Sequence, residues 1–136
     1  MLSQTAEYAL RAVLAVAAGG GDQPIGAARL AAKLGIPQNY LSKTLHQLAR
    51  AGVLESTRGK AGGFRLARSP AKISLLEVVS LFDDVTGRKT CLMGQPVCSD
   101  HNSCVAHQRW KEVAERTAEF FRETTLADLA SEAPHR

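Results

Sequence analysis

The sequence is poor in aromatic residues and has no long apolar run. Phe, Trp and Tyr make up 5% of its 136 residues, whereas the apolar class as a whole makes up 45%. The core must therefore be mainly aliphatic, and the chain is too apolar to be disordered. No run reaches the about 20 apolar residues that cross a bilayer. Glu7 and Arg11 interrupt the apolar N-terminal segment, which argues against a secretory signal and favours a cytoplasmic protein.

Acidic residues are nearly absent from residues 26–70. Glu55 is the only acid there against eight basic residues, so this segment carries a net charge of +7 and the rest of the chain carries −3. Such asymmetry favours a polyanionic partner, although a solvated basic face without any partner has the same composition. The basic residues are Arg29, Lys33, Lys43, Arg50, Arg58, Lys60, Arg65 and Arg68.

Helical periodicity predicts three helices in the first 50 residues. They span Thr5 to Ala18, Gly26 to Leu34, and Pro37 to about Arg50. Gly35 is suited to the left-handed conformation that ends one helix and turns the chain into the next. The second and third helices thus have the form of a helix-turn-helix, a pattern shared with ordinary amphipathic helix pairs.

The third predicted helix has an apolar face and a polar face. Leu41, Leu45 and Leu48 recur at helical spacing and are expected in the core. The opposite face carries amide, hydroxyl and basic groups of the kinds that bind base edges and phosphates in the major groove. For Tyr40 we expect the ring to pack under the helix while the hydroxyl reaches a phosphate. The predicted DNA contacts on this helix are Gln38, Asn39, Tyr40, Ser42, Lys43, His46 and Arg50.

A basic, glycine-rich hairpin is predicted directly after this helix. Residues 53–57 and 64–68 have the composition of strands, and RGKAGG lies between them. Arg58 and Lys60 at the tip are expected to contact the minor groove or phosphates. A nucleotide-binding phosphate loop is excluded because the Gly-Lys-Ser/Thr spacing is missing and no helix follows. The hairpin predicts a mainly α fold with a small β-hairpin wing, that is, a winged helix-turn-helix.

The second half of the sequence predicts further helices. Ser74 and Glu77 form a possible capping box for a helix from Leu75 to Asp84. A long helix from about Cys104 to Glu123 has apolar residues spaced by three and four, and Thr125 to Ala130 adds a short one. Since few elements are left to cover this long apolar stripe, we expect a second copy of the chain to supply a matching helix.

Several segments resemble the Rrf2 family of winged-helix regulators, which includes the IscR-type and NsrR-type sensors. The resemblance lies in TAEYALRAVL, LAAKLGIPQNYLSKTLHQLARAGVLESTRGKAGGFRLAR, ISLLEVVSLFDD and AHQRWKEVAERTAEFFRETTLADL, together with a cysteine trio ahead of the last long helix. It covers nearly the whole chain. It implies a homodimer in which a bound iron–sulfur cluster tunes the affinity for DNA.

The cysteines have the spacing Cys91-x6-Cys98-x5-Cys104. Thiolates of this kind hold iron in clusters and need a fourth ligand. The resemblance offers two: His107, which matches the histidine of IscR-type members, and Glu7, which matches an acidic residue given across the dimer in some relatives. We favour His107, and 2Fe–2S over 4Fe–4S. Structural zinc and an oxidation-sensitive thiol switch stay open as alternatives.

Together these features divide the chain into three parts. They are a winged helix-turn-helix DNA-binding domain over residues 1–84, a cysteine-bearing sensor loop over 85–103, and a dimerisation helix with a short C-terminal helix over 104–136. We expect a dimeric regulator that binds a palindromic operator and senses iron–sulfur or iron status, nitric oxide or redox state. An electron-transfer protein and a protein-interaction module are the rival classes. No paired carboxylates or nucleophile–base set indicate an enzyme.

Overall fold

Helices predominate in the structure, a computed structural model that describes residues 2–19, 22–85 and 106–130, apart from the side chain of His107. One antiparallel hairpin follows the third helix, and a short 3-10 turn follows the hairpin. The elements are α1 (Gln4–Ala18), α2 (Ala27–Leu34), α3 (Gln38–Arg50), β1 (Leu54–Thr57), β2 (Gly63–Leu66), the 3-10 turn (Pro70–Lys72), α4 (Leu75–Val79), α5 (His107–Glu123) and α6 (Leu126–Ala130).

Helix α1 lies at the centre of the described fold. The Ser3 side chain caps it by accepting a hydrogen bond from the backbone N–H of Ala6, which satisfies one of the N–H groups left over at a helix start. One side of α1 is lined with small or branched apolar side chains, and this side packs against α3, α4 and α6. The buried residues of the helix are Ala6, Ala9, Ala12, Val13, Val16 and Ala17.

The helix-turn-helix forms as predicted. Gly35 ends α2 with φ +69°, a left-handed conformation that glycine adopts without steric penalty. Ile36 follows and is buried between the two helices. On α3, Leu41, Leu45 and Leu48 are fully buried, which confirms the predicted core face. The polar face of α3 is therefore turned away from the body of the protein.

The hairpin is shorter than predicted and is attached to the chain ahead of α2. Strands β1 and β2 pair from Leu54 opposite Leu66 to Thr57 opposite Gly63. Phe64 and Ile25 exchange backbone hydrogen bonds of 2.8 and 2.9 Å, an isolated bridge that attaches β2 to the segment ahead of α2. This bridge joins positions far apart in sequence, so the local strand pattern did not predict it.

Helix α4 ends at Val79, so the predicted continuation to Asp84 is wrong. The capping box is confirmed: Ser74 Oγ accepts from the Glu77 N–H at 3.2 Å, and the Glu77 carboxylate accepts from the Ser74 N–H at 3.0 Å. Beyond Val79 the chain turns, and the carboxylate of Asp83 accepts a hydrogen bond from the backbone N–H of Ser3. Asp83 thus binds the start of α1 and connects it to the segment after α4.

An ion pair joins the exit of the hairpin to α4. Arg68 Nη2 lies 2.8 Å from Glu77 Oε1, and Arg68 Nη1 donates to the carbonyl of Lys72. Partial burial acts to raise the pKa of Glu77, but the bonds from Arg68 and Ser74 outweigh it and lower the pKa below its ordinary value. Because both side chains are substantially exposed, this pair orients the segment more than it stabilises the fold.

The last two helices return the chain to α1. Helix α5 packs against α4, and α6 packs against α1. Backbone hydrogen bonds from Leu75 to Thr124 and from Leu126 to Ile73 hold the start of α6 beside the start of α4. Over the described ranges, no helix combines the length and apolar character that a membrane span requires. Helix α5 is described from His107, so its predicted beginning at Cys104 lies outside the described residues.

Candidate nucleic-acid interface

The exposed face of α3 brings together most of the side chains predicted to contact DNA. Six of the seven are exposed, and Ser42 is half-buried. The three buried leucines fix the opposite face in the core, so the polar set shares one surface. Its exposed members are Gln38, Asn39, Tyr40, Lys43, His46 and Arg50.

Tyr40 makes contacts with α1 that the sequence did not predict. Its side chain is 38% exposed, but its hydroxyl is hydrogen-bonded to Oγ1 of Thr5 on α1. Its ring meets the Tyr8 ring edge-on, with centroids 5.4 Å apart. The hydroxyl that we expected to reach a phosphate is thus already engaged within the protein.

His46 links α3 to the hairpin. Its ring stands edge-on to Phe64 of β2, with a centroid separation of 5.3 Å and an interplanar angle of 77°. Because Phe64 also bridges to Ile25, α3 and the segment ahead of α2 both contact the same residue of β2. His46 itself stays exposed.

The tip of the hairpin carries two exposed cations. Arg58 and Lys60 lie on either side of Gly59, whose carbonyl accepts a hydrogen bond from the Gly62 N–H at 3.0 Å and closes the turn. The tip is therefore narrow and positively charged, as entry into a minor groove requires.

Acidic partners neutralise only part of the basic segment. Arg65 pairs with Glu55 across the hairpin at 2.8 Å, and Arg68 pairs with Glu77. The other six basic residues are exposed, and none forms an ion pair with an acid in the described part of the chain. They lie on α2, α3 and the hairpin tip: Arg29, Lys33, Lys43, Arg50, Arg58 and Lys60.

Two of these cations were not among the predicted DNA contacts. Arg29 and Lys33 are four residues apart on the exposed side of α2, opposite the buried Leu30 and Ala31. The i, i+4 spacing of two basic residues on the first helix of a helix-turn-helix was the signal that could have identified them. In such motifs this helix crosses the phosphate backbone.

The predicted metal ligands fall almost wholly outside the described residues. Cys91, Cys98 and Cys104 lie there, as does the side chain of His107. Glu7 is described and exposed on α1, and its carboxylate forms no ion pair within the described ranges. Among residues 2–19, 22–85 and 106–130, no group of three His, Cys, Asp or Glu residues could hold a metal ion.

Solved structures share the fold over nearly the whole chain. The global cysteine regulator CymR of B. subtilis superposes with a TM-score of 0.82 at 22% identity, covering 98% of each chain. The T. potens IscR structure gives 0.76 at 23% identity, covering 99% of this chain and 93% of the other. These likenesses confirm the predicted winged helix-turn-helix fold.

Sequence comparison assigns the family. The Rrf2 family model, described as an iron-dependent transcriptional regulator, matches residues 2–132. An HTH-type transcriptional regulator of Aquifex aeolicus is 36% identical over 131 residues, covering 95% of this chain and 90% of that protein. IscR of Yersinia pestis is 30% identical over 130 residues, covering 96% and 79%. The chain therefore belongs to the Rrf2 family, and it is a DNA-binding transcriptional regulator rather than an enzyme.

Proposed function

We propose that the chain acts in the cytoplasm as a homodimer that binds a palindromic operator and whose affinity for DNA depends on an iron–sulfur cluster. The observation that carries the DNA-binding part is the set of six exposed cations around the polar face of α3, none of them paired with a described acid. Two copies present two such surfaces to successive major grooves, with half-site centres about one helical turn, or a multiple of it, apart.

Within each half-site the residues divide by chemistry. Gln38, Asn39 and Ser42 at the start of α3 carry groups that donate to and accept from base edges, so they account for sequence readout. Lys43 and Arg50 bind phosphates and set the register of the helix on the duplex. The hairpin tip enters the adjacent minor groove.

The dimer part of the proposal is supported by apolar side chains left in water. Val113 and Phe120 on α5 are 52% and 53% exposed, and Leu81 after α4 is 41% exposed. Helix α5 packs on α4, so these side chains lie on neighbouring elements of one protomer. A second copy of α5 would cover them by two-fold pairing, which removes apolar surface from water without a different partner.

Operator selection followed by a salt series tests the DNA-binding part. We expect DNA fragments selected from a random pool to share a palindrome, and the logarithm of the association constant to fall linearly with the logarithm of the salt concentration. Fluorescence anisotropy from 50 to 300 mM salt measures the association constant. Competition by heparin serves as the control, because heparin is a polyanion without base sequence. Failure to bind any DNA at low salt, with or without iron loaded, would contradict the proposal.

Cys91, Cys98 and Cys104 are proposed as three cluster ligands. His107 is the favoured fourth ligand, and Glu7 from a second copy is the alternative. Three thiolates with an imidazole or a carboxylate form a donor set that suits iron in a cluster, here 2Fe–2S in preference to 4Fe–4S. When bound, the cluster would supply a group that responds to iron supply and redox state. Glu7 fits the alternative role because it is exposed and forms no ion pair within the described ranges.

Substitution of the middle cysteine tests the cluster. Anaerobically purified protein is expected to absorb visible light and to contain iron and sulfide, whereas Cys98→Ala is expected to be colourless, since loss of a thiolate removes a cluster ligand. Comparison of His107→Ala with Glu7→Gln identifies the fourth ligand as the one whose loss alters the spectrum. A colourless wild-type protein containing zinc, or one whose DNA affinity follows thiol oxidation alone, would contradict the cluster proposal.

A further inference from the structure

Polar and aromatic contacts tie the first turn of α3 to α1. The Tyr40 hydroxyl is hydrogen-bonded to Thr5 Oγ1, and the Tyr40 ring lies edge-on to Tyr8. Gln4 Nε2 in turn donates to the Tyr8 hydroxyl at 3.0 Å. These contacts reach the end of α3 that begins the polar DNA-facing surface.

A second contact from α1 holds the turn on its other side. Arg11 Nη2 donates to the carbonyl of Leu34 at 2.9 Å, and its guanidinium lies 6.0 Å from the centroid of the Tyr8 ring. Leu34 is the last residue of α2, so its carbonyl lacks a helical partner and a basic side chain can satisfy it. The same stripe of α1 therefore contacts both helices that flank the turn.

The first turn of α3 has few restraints of its own. Its N-cap is Pro37, and no side chain caps the helix start. Gln38 and Asn39, the first two helical residues, are both exposed. The buried leucines begin only at Leu41, so they hold the helix body and not its leading end.

We infer that Thr5 and Arg11 are positioning residues for the recognition helix, and that the Tyr40 hydroxyl acts through Thr5 and not by binding a phosphate. The inference rests on the proposed use of α3 to read DNA and deepens it. Base readout needs side chains held to within about 0.5 Å, which an uncapped exposed turn does not supply by itself. The contacts from α1 supply this positional restraint.

A double-mutant cycle tests this assignment. Thr5→Val and Tyr40→Phe each remove one hydroxyl and change no charge. We expect each to weaken operator binding by about 5-fold, the double variant to be no weaker than either single one, and the salt slope to stay unchanged. Ser69→Ala also removes one hydroxyl, which in the described structure accepts from the nearby Ala71 N–H, and it is expected to bind like wild type.

The opposite result has a distinct pattern. If Tyr40 binds a phosphate directly, Tyr40→Phe weakens binding while Thr5→Val does not, and this outcome overturns the inference. Effects that multiply in the double variant would overturn it as well, since they would show that the two hydroxyls act independently.

Amide hydrogen exchange provides a readout that needs no DNA. The Leu41 N–H donates to the Pro37 carbonyl at 3.0 Å in the first turn of α3. Its exchange is expected to be faster in Thr5→Val and in Arg11→Met, with unchanged exchange at the buried Leu48. Equal exchange rates at Leu41 in wild type and both variants overturn the inference. Failure of the wild-type protein to bind DNA instead contradicts the proposed function, so the two failures are distinguishable.

Discussion

Alanine at both Arg58 and Lys60 is expected to weaken operator binding by about 50-fold near physiological salt. Both cations are exposed at the narrow tip of the hairpin and form no ion pair in the described part of the chain. Each would release a counterion from the duplex on binding, so the salt dependence should become shallower by about two units of slope. Anisotropy titrations at several salt concentrations measure the affinity and the slope together.

A control variant with the same loss of charge distinguishes direct DNA contact by the hairpin from the effect of the protein's net charge. Arg116 and Arg122 are exposed on α5, which packs against α4 and not against the hairpin. Alanine at both positions is expected to change affinity by less than about 3-fold, because charges beyond about 8 Å are screened at physiological salt. Gel filtration checks that this variant keeps the oligomeric state of the wild type. If both double variants bind equally well, the hairpin does not contact DNA.

Among the variants proposed for this protein, Gly63→Ala is expected to lower the free energy of unfolding the most. Gly63 has φ +144°, a conformation that other residues rarely adopt, and a Cβ atom there would lie 2.4 Å from the carbonyl carbon and oxygen of Ile25. Relief of this overlap must break the paired hydrogen bonds between Ile25 and Phe64. We expect a loss of about 3 kcal/mol in the free energy of unfolding, measured by urea denaturation, and a hairpin too loosely held for tight DNA binding.

Gly26→Ala is the matched control. Gly26 lies beside the same bridge, but its φ is −69° and a Cβ atom there meets nothing within 4 Å. Its substitution is expected to lower the free energy of unfolding by no more than about 1 kcal/mol, which is the cost of alanine in place of a favoured residue at a helix N-cap. Equal stability of Gly63→Ala and Gly26→Ala would show that the bridge between Ile25 and Phe64 does not stabilise the hairpin.

The elements that the sequence predicted well are those whose signals are local. Helix α3 has leucines at helical spacing, so its buried face followed from periodicity alone. Gly35 marked the turn because one residue type suits its backbone conformation. The capping box at Ser74 and Glu77 needed only four residues of sequence. The exposed polar face of α3 followed from the same periodicity, because it lies opposite the core face.

Several features that escaped prediction depend on residues distant in sequence. The hydrogen bond between Asp83 and Ser3 joins residues 80 positions apart. The orientation of Tyr40 depends on Thr5, 35 positions away. No periodicity or propensity encodes which hydroxyl or carboxylate meets which helix end, because that choice is made by tertiary packing. Local strand and helix preferences therefore predicted the candidate DNA-binding surface but not the contacts that hold it in place.

The closure of α6 against α1 has a consequence for how the protein is made. Leu126 is fully buried, and α6 supplies part of the cover for α1, the first helix to leave the ribosome. Chain elongation proceeds at about 5–20 residues per second, so α6 is synthesised several seconds after α1. A nascent chain that stops before Leu126 keeps apolar surface of α1 in water, where chaperones bind. A chain truncated ahead of Leu126 is therefore expected to be degraded.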